Sequence, residues 1–268
     1  MPSDTLFLDD HQLDTLPLER LQSARPLRHL SLYRNRLVEI SPMLWDFTEL
    51  ETLNLADNHL RTLPDGIHRL ARLRMLDLGH NQLDHVPDDL GALPMLTDFL
   101  YLSNNALRTL PDSLTDLSQL RYLNFTDNQL ALLPHTLGRM QGLIELRAYR
   151  NPLVALPDSI GGCVNLRELH LDQTRLTGLP PSMETLQALR VLSLRGCQLE
   201  DVPSWLGELH NLRHLDLRSN RLQTLPRELA RLPHLEKLDV RWNHALSPLP
   251  RWLADLQARG CVIYPFIP

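Results

Sequence analysis

Leu73-Arg-Met-Leu76-Asp-Leu78-Gly-His-Asn81-Gln-Leu83 decides the fold of this chain. Leu212-Arg-His-Leu215-Asp-Leu217-Arg-Ser-Asn220-Arg-Leu222 repeats it, and the same pattern returns eleven times at steps of 23 or 24 residues. The asparagine position falls at His11, Asn35, Asn58, Asn81, Asn105, Asn128, Asn151, Thr174, Cys197, Asn220 and Asn243. A fixed period in this range is the signature of a solenoid. Within each copy the alternating Leu-x-Leu reads as a short strand with inward leucines. One strand cannot bury its leucines alone, so the copies stack as a parallel sheet lining the inside of a curve. The asparagine amide both donates and accepts, which suits the buried backbone at the turn after the strand. Thr174 and Cys197 have less hydrogen-bonding capacity, and their turns are expected to be weaker.

The second half of the repeat is equally regular and opens with Leu-Pro in Leu63-Pro-Asp, Leu110-Pro-Asp and Leu156-Pro-Asp. Proline suits the first turn of a helix, and the aspartate after it sits at the positive end of that turn. Short helices or 3₁₀ turns are therefore expected on the convex side. The fold class is an α/β solenoid: a horseshoe with a parallel sheet on its concave face. A single domain over 1–268 is expected, with an irregular first repeat over 1–26 and a C-terminal cap over 247–268. In that cap, Pro250–Gly260 reads as a last helix and Cys261–Tyr264 as a closing strand. Leu96-Thr-Asp-Phe-Leu100-Tyr-Leu102 carries one extra residue ahead of its strand, which predicts a bulge.

Apolar residues make up 43% of the 268 residues, enough for a continuous core. The net charge of -5 argues against a broadly basic nucleic-acid-binding surface. The cysteines, Cys163, Cys197 and Cys261, are scattered and odd in number. They point to a reducing compartment, so a cytoplasmic location is expected, in the cell of origin or in a host cell. The first residues lack a basic and apolar leader pattern, and no apolar run approaches membrane-spanning length.

These motifs resemble the leucine-rich repeat family over nearly the whole chain. The 23-residue Leu-Pro-x-x-Leu-x-x-Leu form is similar to that of cytoplasmic scaffolds, plant intracellular proteins and bacterial effectors. The resemblance implies a horseshoe that binds proteins, most often on its concave side. Effector ubiquitin ligases place such repeats ahead of a catalytic domain. A second expectation is therefore a substrate-recognition portion whose catalytic part is absent from this chain. A third is a self-associating protein, a monomer or weak dimer through the edge of its first strand.

Strands in register place equivalent residues in columns on the inner face. One column runs Tyr33, Ala56, Gly79, Ser103, Thr126, Tyr149, Asp172, Arg195, Arg218, Arg241. The next runs Arg34, Asp57, His80, Asn104, Asp127, Arg150, Gln173, Gly196, Ser219, Trp242. Tyr101, Tyr122 and Tyr149 are expected to cluster as exposed anchors of an interface. Cross-strand packing that only steadies the sheet is the alternative. Arg195, Arg218 and Arg241 stack like charges in one column, with Arg147, Arg150, Lys237 and Trp242 nearby. Either Asp172, Asp216 and Asp239 offset them internally, or an acidic or phosphorylated partner segment does. The first repeats lean acidic, through Asp9, Asp10, Asp57 and Asp77, which would orient a partner.

Catalysis is not expected. Asp57, His80 and Ser103 are neighbours in the columns, but an open sheet offers them no oxyanion hole. His29, His80, His170 and His214 lie too far apart to share a metal, so neither metal nor cofactor is expected. Cys163 and Cys197 lack an activating base. The candidate site is a partner-binding face made of Tyr101, Tyr122, Tyr149, Arg147, Arg150, Arg195, Arg218, Arg241 and Trp242.

Overall fold

The computed structural model describes residues 4–24, 26–246 and 248–264. Those parts of the expected first repeat and C-terminal cap that fall on residues 1–3, 25, 247 and 265–268 lie outside the described residues. The chain forms two compact units, residues 1–129 and residues 130–268.

The first unit holds six three-residue parallel strands, one per repeat. They are β1 (Thr5–Phe7), β2 (His29–Ser31), β3 (Thr52–Asn54), β4 (Met75–Asp77), β5 (Phe99–Tyr101) and β6 (Tyr122–Asn124). The second unit holds β7 (Glu145–Arg147), β8 (Glu168–His170), β9 (Val191–Ser193), β10 (His214–Asp216), β11 (Lys237–Asp239) and β12 (Val262–Tyr264), again parallel. Middle residues align with middle residues: Leu53 with Leu76 in one unit, Leu192 with Leu215 in the other. These leucines are buried, while the residues on either side of them stay half-buried or exposed. Each buried leucine contributes about 1.5–3 kcal/mol of burial free energy.

Behind the strands run 3₁₀ turns such as Asp112–Asp116 and Asp158–Gly162. Pro42 and Pro181 open the turns Pro42–Asp46 and Pro181–Thr185, as the sequence suggested, but the other arrangement also occurs. Pro111 and Pro157 stay extended just before the turn, and their carbonyls accept the first N–H bonds, from Leu114 at 3.0 Å and Ile160 at 3.0 Å. Neighbouring turns approach closely. A Cβ on Gly91 would stand 2.0 Å from the Ser113 carbonyl oxygen, so only glycine fits there. The six-residue helix α1 (Leu18–Ser23) lies within the first repeat. Helix α2 (Leu253–Ala258) leads into β12, which pairs with β11, as expected of the closing elements. Among the described residues no helix is long and apolar enough to cross a membrane.

The asparagine ladder carries the turns. Asn58 Nδ2 donates to the carbonyls of Leu32 and Leu55 at 3.0 Å each, and its Oδ1 accepts from Leu37 N at 3.1 Å. Asn220 repeats the arrangement with Leu194, Leu217 and Leu199. Thr174 and Cys197 break it. The Cys197 thiol donates to Leu171 O at 3.3 Å and lies 3.2 Å from Thr174 Oγ1. Among the described residues Leu176 N–H donates to neither Cys197 nor another backbone group. Cys197→Asn is thus expected to supply an acceptor and raise the melting temperature by about 2–4 °C. A thermal unfolding curve checks it.

The extra residue of the fifth repeat also has its effect. Elsewhere two successive N–H groups share one carbonyl, as Arg74 and Met75 share that of Glu51. At β6 the pair is divided: Arg121 N donates to Thr97 O at 2.9 Å and Tyr122 N to Asp98 O at 3.2 Å. Thr97 and Asp98 each take one N–H where a single carbonyl takes both at β4, and β5 and β6 are in register from Phe99 and Tyr122 onward.

Candidate functional site

The turn after each of β1 to β11 holds a residue in the left-handed region, from Asp10 at φ 58° to Trp242 at φ 57°. Glycine is the easy choice there, yet only Gly196 uses it in this column. The other repeats place Arg34, His80, Arg150, Gln173 and Trp242 at these tips, projecting long side chains beside the sheet face. A tryptophan at positive φ is costly, and Trp242 is 43% exposed.

In the first unit, Tyr101 and Tyr122 do meet, with ring centroids 5.1 Å apart. The third ring of the cluster is Phe99, stacked on Tyr101 at 5.9 Å and tilted against Tyr122 at 5.5 Å. Register puts Phe99 opposite Tyr122, and it is 42% exposed. Such ring pairs contribute about 0.5–1.5 kcal/mol each beyond area burial, so the cluster steadies the sheet while exposing apolar surface. The acidic residues of this unit are partly neutralised or engaged. Arg34 lies between Asp10 and Asp57, at 3.3 and 3.6 Å. Asp9 accepts from Ser31 Oγ and Tyr33 N. Burial pushes the carboxyl of Asp77 up, although Gly79 N–H donates to it.

Tyr149 belongs to the second unit, where the predicted arginines separate into distinct settings. Arg218 folds back on Asp216, its Nε 2.9 and 3.0 Å from the two carboxylate oxygens, and also reaches Asp239 at 3.3 Å. Arg241 binds Asp239 through Nε at 2.9 Å and Nη2 at 2.7 Å. Asp239 is fully buried. The result is an alternating ladder, Asp216–Arg218–Asp239–Arg241, and it is the internal offset weighed from the sequence. The Asp216 hydrogen bonds push Arg218 up from its ordinary pKa, and those of Asp239 do the same for Arg241. The Arg241 guanidinium also lies 5.1 Å from the Trp242 ring and 4.9 Å from that of Tyr264, with Lys237 5.3 Å from Tyr264. Arg241 and Trp242 therefore belong to a charge-and-ring stack beside the closing strand.

Arg195 differs. Its backbone N–H donates to Asp172 at 3.2 Å, but among the described residues its exposed side chain makes no hydrogen bond or ion pair. It lines a shallow open concavity of about 270 Å³ with Tyr149, Arg150, Asp172, Gln173 and Arg218. Arg150 donates to Gln173 Oε1 at 2.9 Å. Asp172 is held by Ser193 Oγ at 2.5 Å.

On β7 and β8, Arg147 donates to Glu145 at 2.5 Å, and Glu168 and His170 complete a group that sequence reasoning missed. The neighbours of His170 are carboxylates and not other histidines. His80 Nε2 sits 3.2 Å from Asn104 Nδ2. Burial pushes the Cys163 thiol up to about 12, far from a reactive thiolate.

This architecture has counterparts in known proteins. The family described as "Leucine-rich repeat region" matches residues 174–264, and "Leucine rich repeat" matches residues 25–83 and 48–107. The chain belongs to the leucine-rich repeat family, and its fold is that family's solenoid. Podocan-like protein 1 of Mus musculus is 42% identical over 102 residues, which is 37% of this chain and 17% of the relative. Fibromodulin of Sus scrofa is 35% identical over 83 residues, 31% of this chain and 55% of the relative. Among solved structures, YopM, a leucine-rich effector protein from Yersinia pestis, matches with a TM-score of 0.73 at 26% identity, over 89% of this chain and 60% of that one. The chain spans less than two thirds of the length of each of these proteins.

Proposed function

We propose that this chain is a non-enzymatic protein-binding module whose second unit holds its partner at the concavity of Tyr149, Arg150 and Arg195. The observation that carries this reading is the state of Arg195. Its column neighbours Arg218 and Arg241 are engaged by Asp216 and Asp239, whereas the Arg195 side chain has no partner among the described residues. A guanidinium in an open concavity that a tyrosine also lines suits an acidic or phosphorylated partner segment, which it would grip through paired hydrogen bonds. In the first unit, Tyr101, Tyr122 and Phe99 offer a separate apolar patch of the kind partners use as anchors. The likeness to YopM supports an effector-like role. The buried, unpaired thiols of Cys163, Cys197 and Cys261 support a reducing compartment such as the cytoplasm.

Affinity capture followed by mass spectrometry tests the reading. A partner held by the wild type should be lost by a folded Tyr149→Ala, Arg195→Glu variant. Once it is isolated, either single substitution should weaken binding by ~2 kcal/mol, about thirtyfold, with the melting temperature unchanged. Equal affinity in all three proteins would remove the concavity from the account.

A further inference from the structure

We propose that Glu145, Glu168 and His170 form a binding site for a divalent transition-metal ion, with zinc the best match. The site lies on the sheet face of the second unit and does not depend on the partner reading. Glu168 and His170 stand two residues apart on β8, so both project to the same side. Glu145 sits on β7 directly opposite Glu168 in the strand register. Like charges facing each other across neighbouring strands destabilise a sheet, and a cation between them removes that penalty.

The donor atoms are suitably placed. His170 Nε2 is 3.2 Å from Glu168 Oε2 and 4.0 Å from Glu145 Oε1, and one ligand atom from each residue falls within 4.8 Å of the others. Zinc held at ~2.0–2.1 Å in a tetrahedral site separates its ligands by about 3.4 Å. The observed spacings bracket that value, and a small change of side-chain torsion closes the set. One imidazole and two carboxylates leave a fourth position for water, the composition of an open zinc site. The imidazole disfavours calcium and magnesium, which take oxygen ligands. Glu145 and His170 are each about one-fifth exposed at the side chain and Glu168 about two-fifths, which leaves an entry path for the ion.

Arg147 makes the proposal sharper. Its Nε holds Glu145 Oε1 at 2.5 Å, so it competes with the ion for that carboxylate. Removing the competitor should therefore tighten metal binding, an outcome that casual coordination by surface histidines would not produce.

The test is calorimetric titration of the chelator-stripped chain with zinc chloride alone, in a non-coordinating buffer. One saturable site is expected. His170→Ala and Glu168→Gln should each weaken it at least tenfold, and Arg147→Gln should strengthen it severalfold. His210→Ala, at an exposed histidine remote in sequence from the site, should leave it unchanged. Circular dichroism confirms that each variant is folded. Cobalt(II) should give the visible absorption of a four-coordinate site in the wild type and lose it in His170→Ala. No saturable heat, or equal affinity in wild type, His170→Ala and Glu168→Gln, would overturn the assignment, and weaker binding by Arg147→Gln would count against it.

Discussion

Asn81→Ala should destabilise the chain by about 3–5 kcal/mol, the largest effect expected of any single substitution away from the leucine core. The amide of Asn81 donates to the carbonyls of Leu55, Leu78 and Gly79 at 3.0, 3.1 and 3.2 Å. Its oxygen accepts from Leu60 N at 3.0 Å. All of these groups lie inside the turn, where water does not replace the lost side chain. Each buried polar group left without a partner costs about 1–3 kcal/mol, and some of the carbonyls retain other bonds, which sets the total. Chemical denaturation measures it. Asn81→Asp separates the contributions: it keeps an acceptor for Leu60 N–H, loses the donors and faces carbonyl oxygens with a carboxylate, so it should be no better than alanine. A loss below about 1 kcal/mol for Asn81→Ala would mean that the ladder follows the fold and does not hold it.

Asp239→Ala should cost about 2–3 kcal/mol and act mainly on the last repeats. Asp239 is fully buried and receives hydrogen bonds from Arg241 and an ion pair from Arg218. Removing one member of a buried pair leaves the other charge without compensation. The arginine side chains keep some access to solvent, which holds the cost below that of a fully enclosed pair. Repeat proteins unfold by neighbouring units, so amide exchange should rise first at β11, α2 and β12. Uniform acceleration along the chain, or none, would contradict this placement of the ladder.

The strands, the buried leucines and the ladder were legible because each depends on a repeated spacing that only one stacking satisfies. Even the extra residue of the fifth repeat showed itself as a break in period, and the divided hydrogen bonds at Thr97 and Asp98 follow from it. Phe99 was legible in principle: aligning Leu100 with Leu123 puts it opposite Tyr122. Which arginines are engaged was not legible. Asp216 and Arg218 stand two residues apart, and so do Asp239 and Arg241. Sequence fixes that spacing but not the rotamers that bring guanidinium onto carboxylate. Arg195 has no acid two residues before it, only Ser193, and it is the arginine of this column whose side chain stays unpaired among the described residues. That contrast was present in the sequence and becomes informative once the pairing of the other two is known. The group of Glu145, Glu168 and His170 required two neighbouring columns to be compared for mixed donors.

Photo-crosslinking tests the partner-binding face most directly. A photoreactive residue at Gln173, on the rim of the concavity, should capture the partner, and the same residue at exposed Val164, after the 3₁₀ turn Asp158–Gly162, should not. Addition of Arg195→Glu should abolish the Gln173 product. Crosslinking from Val164 in place of Gln173, or a Gln173 product that survives Arg195→Glu, would show that the partner binds elsewhere.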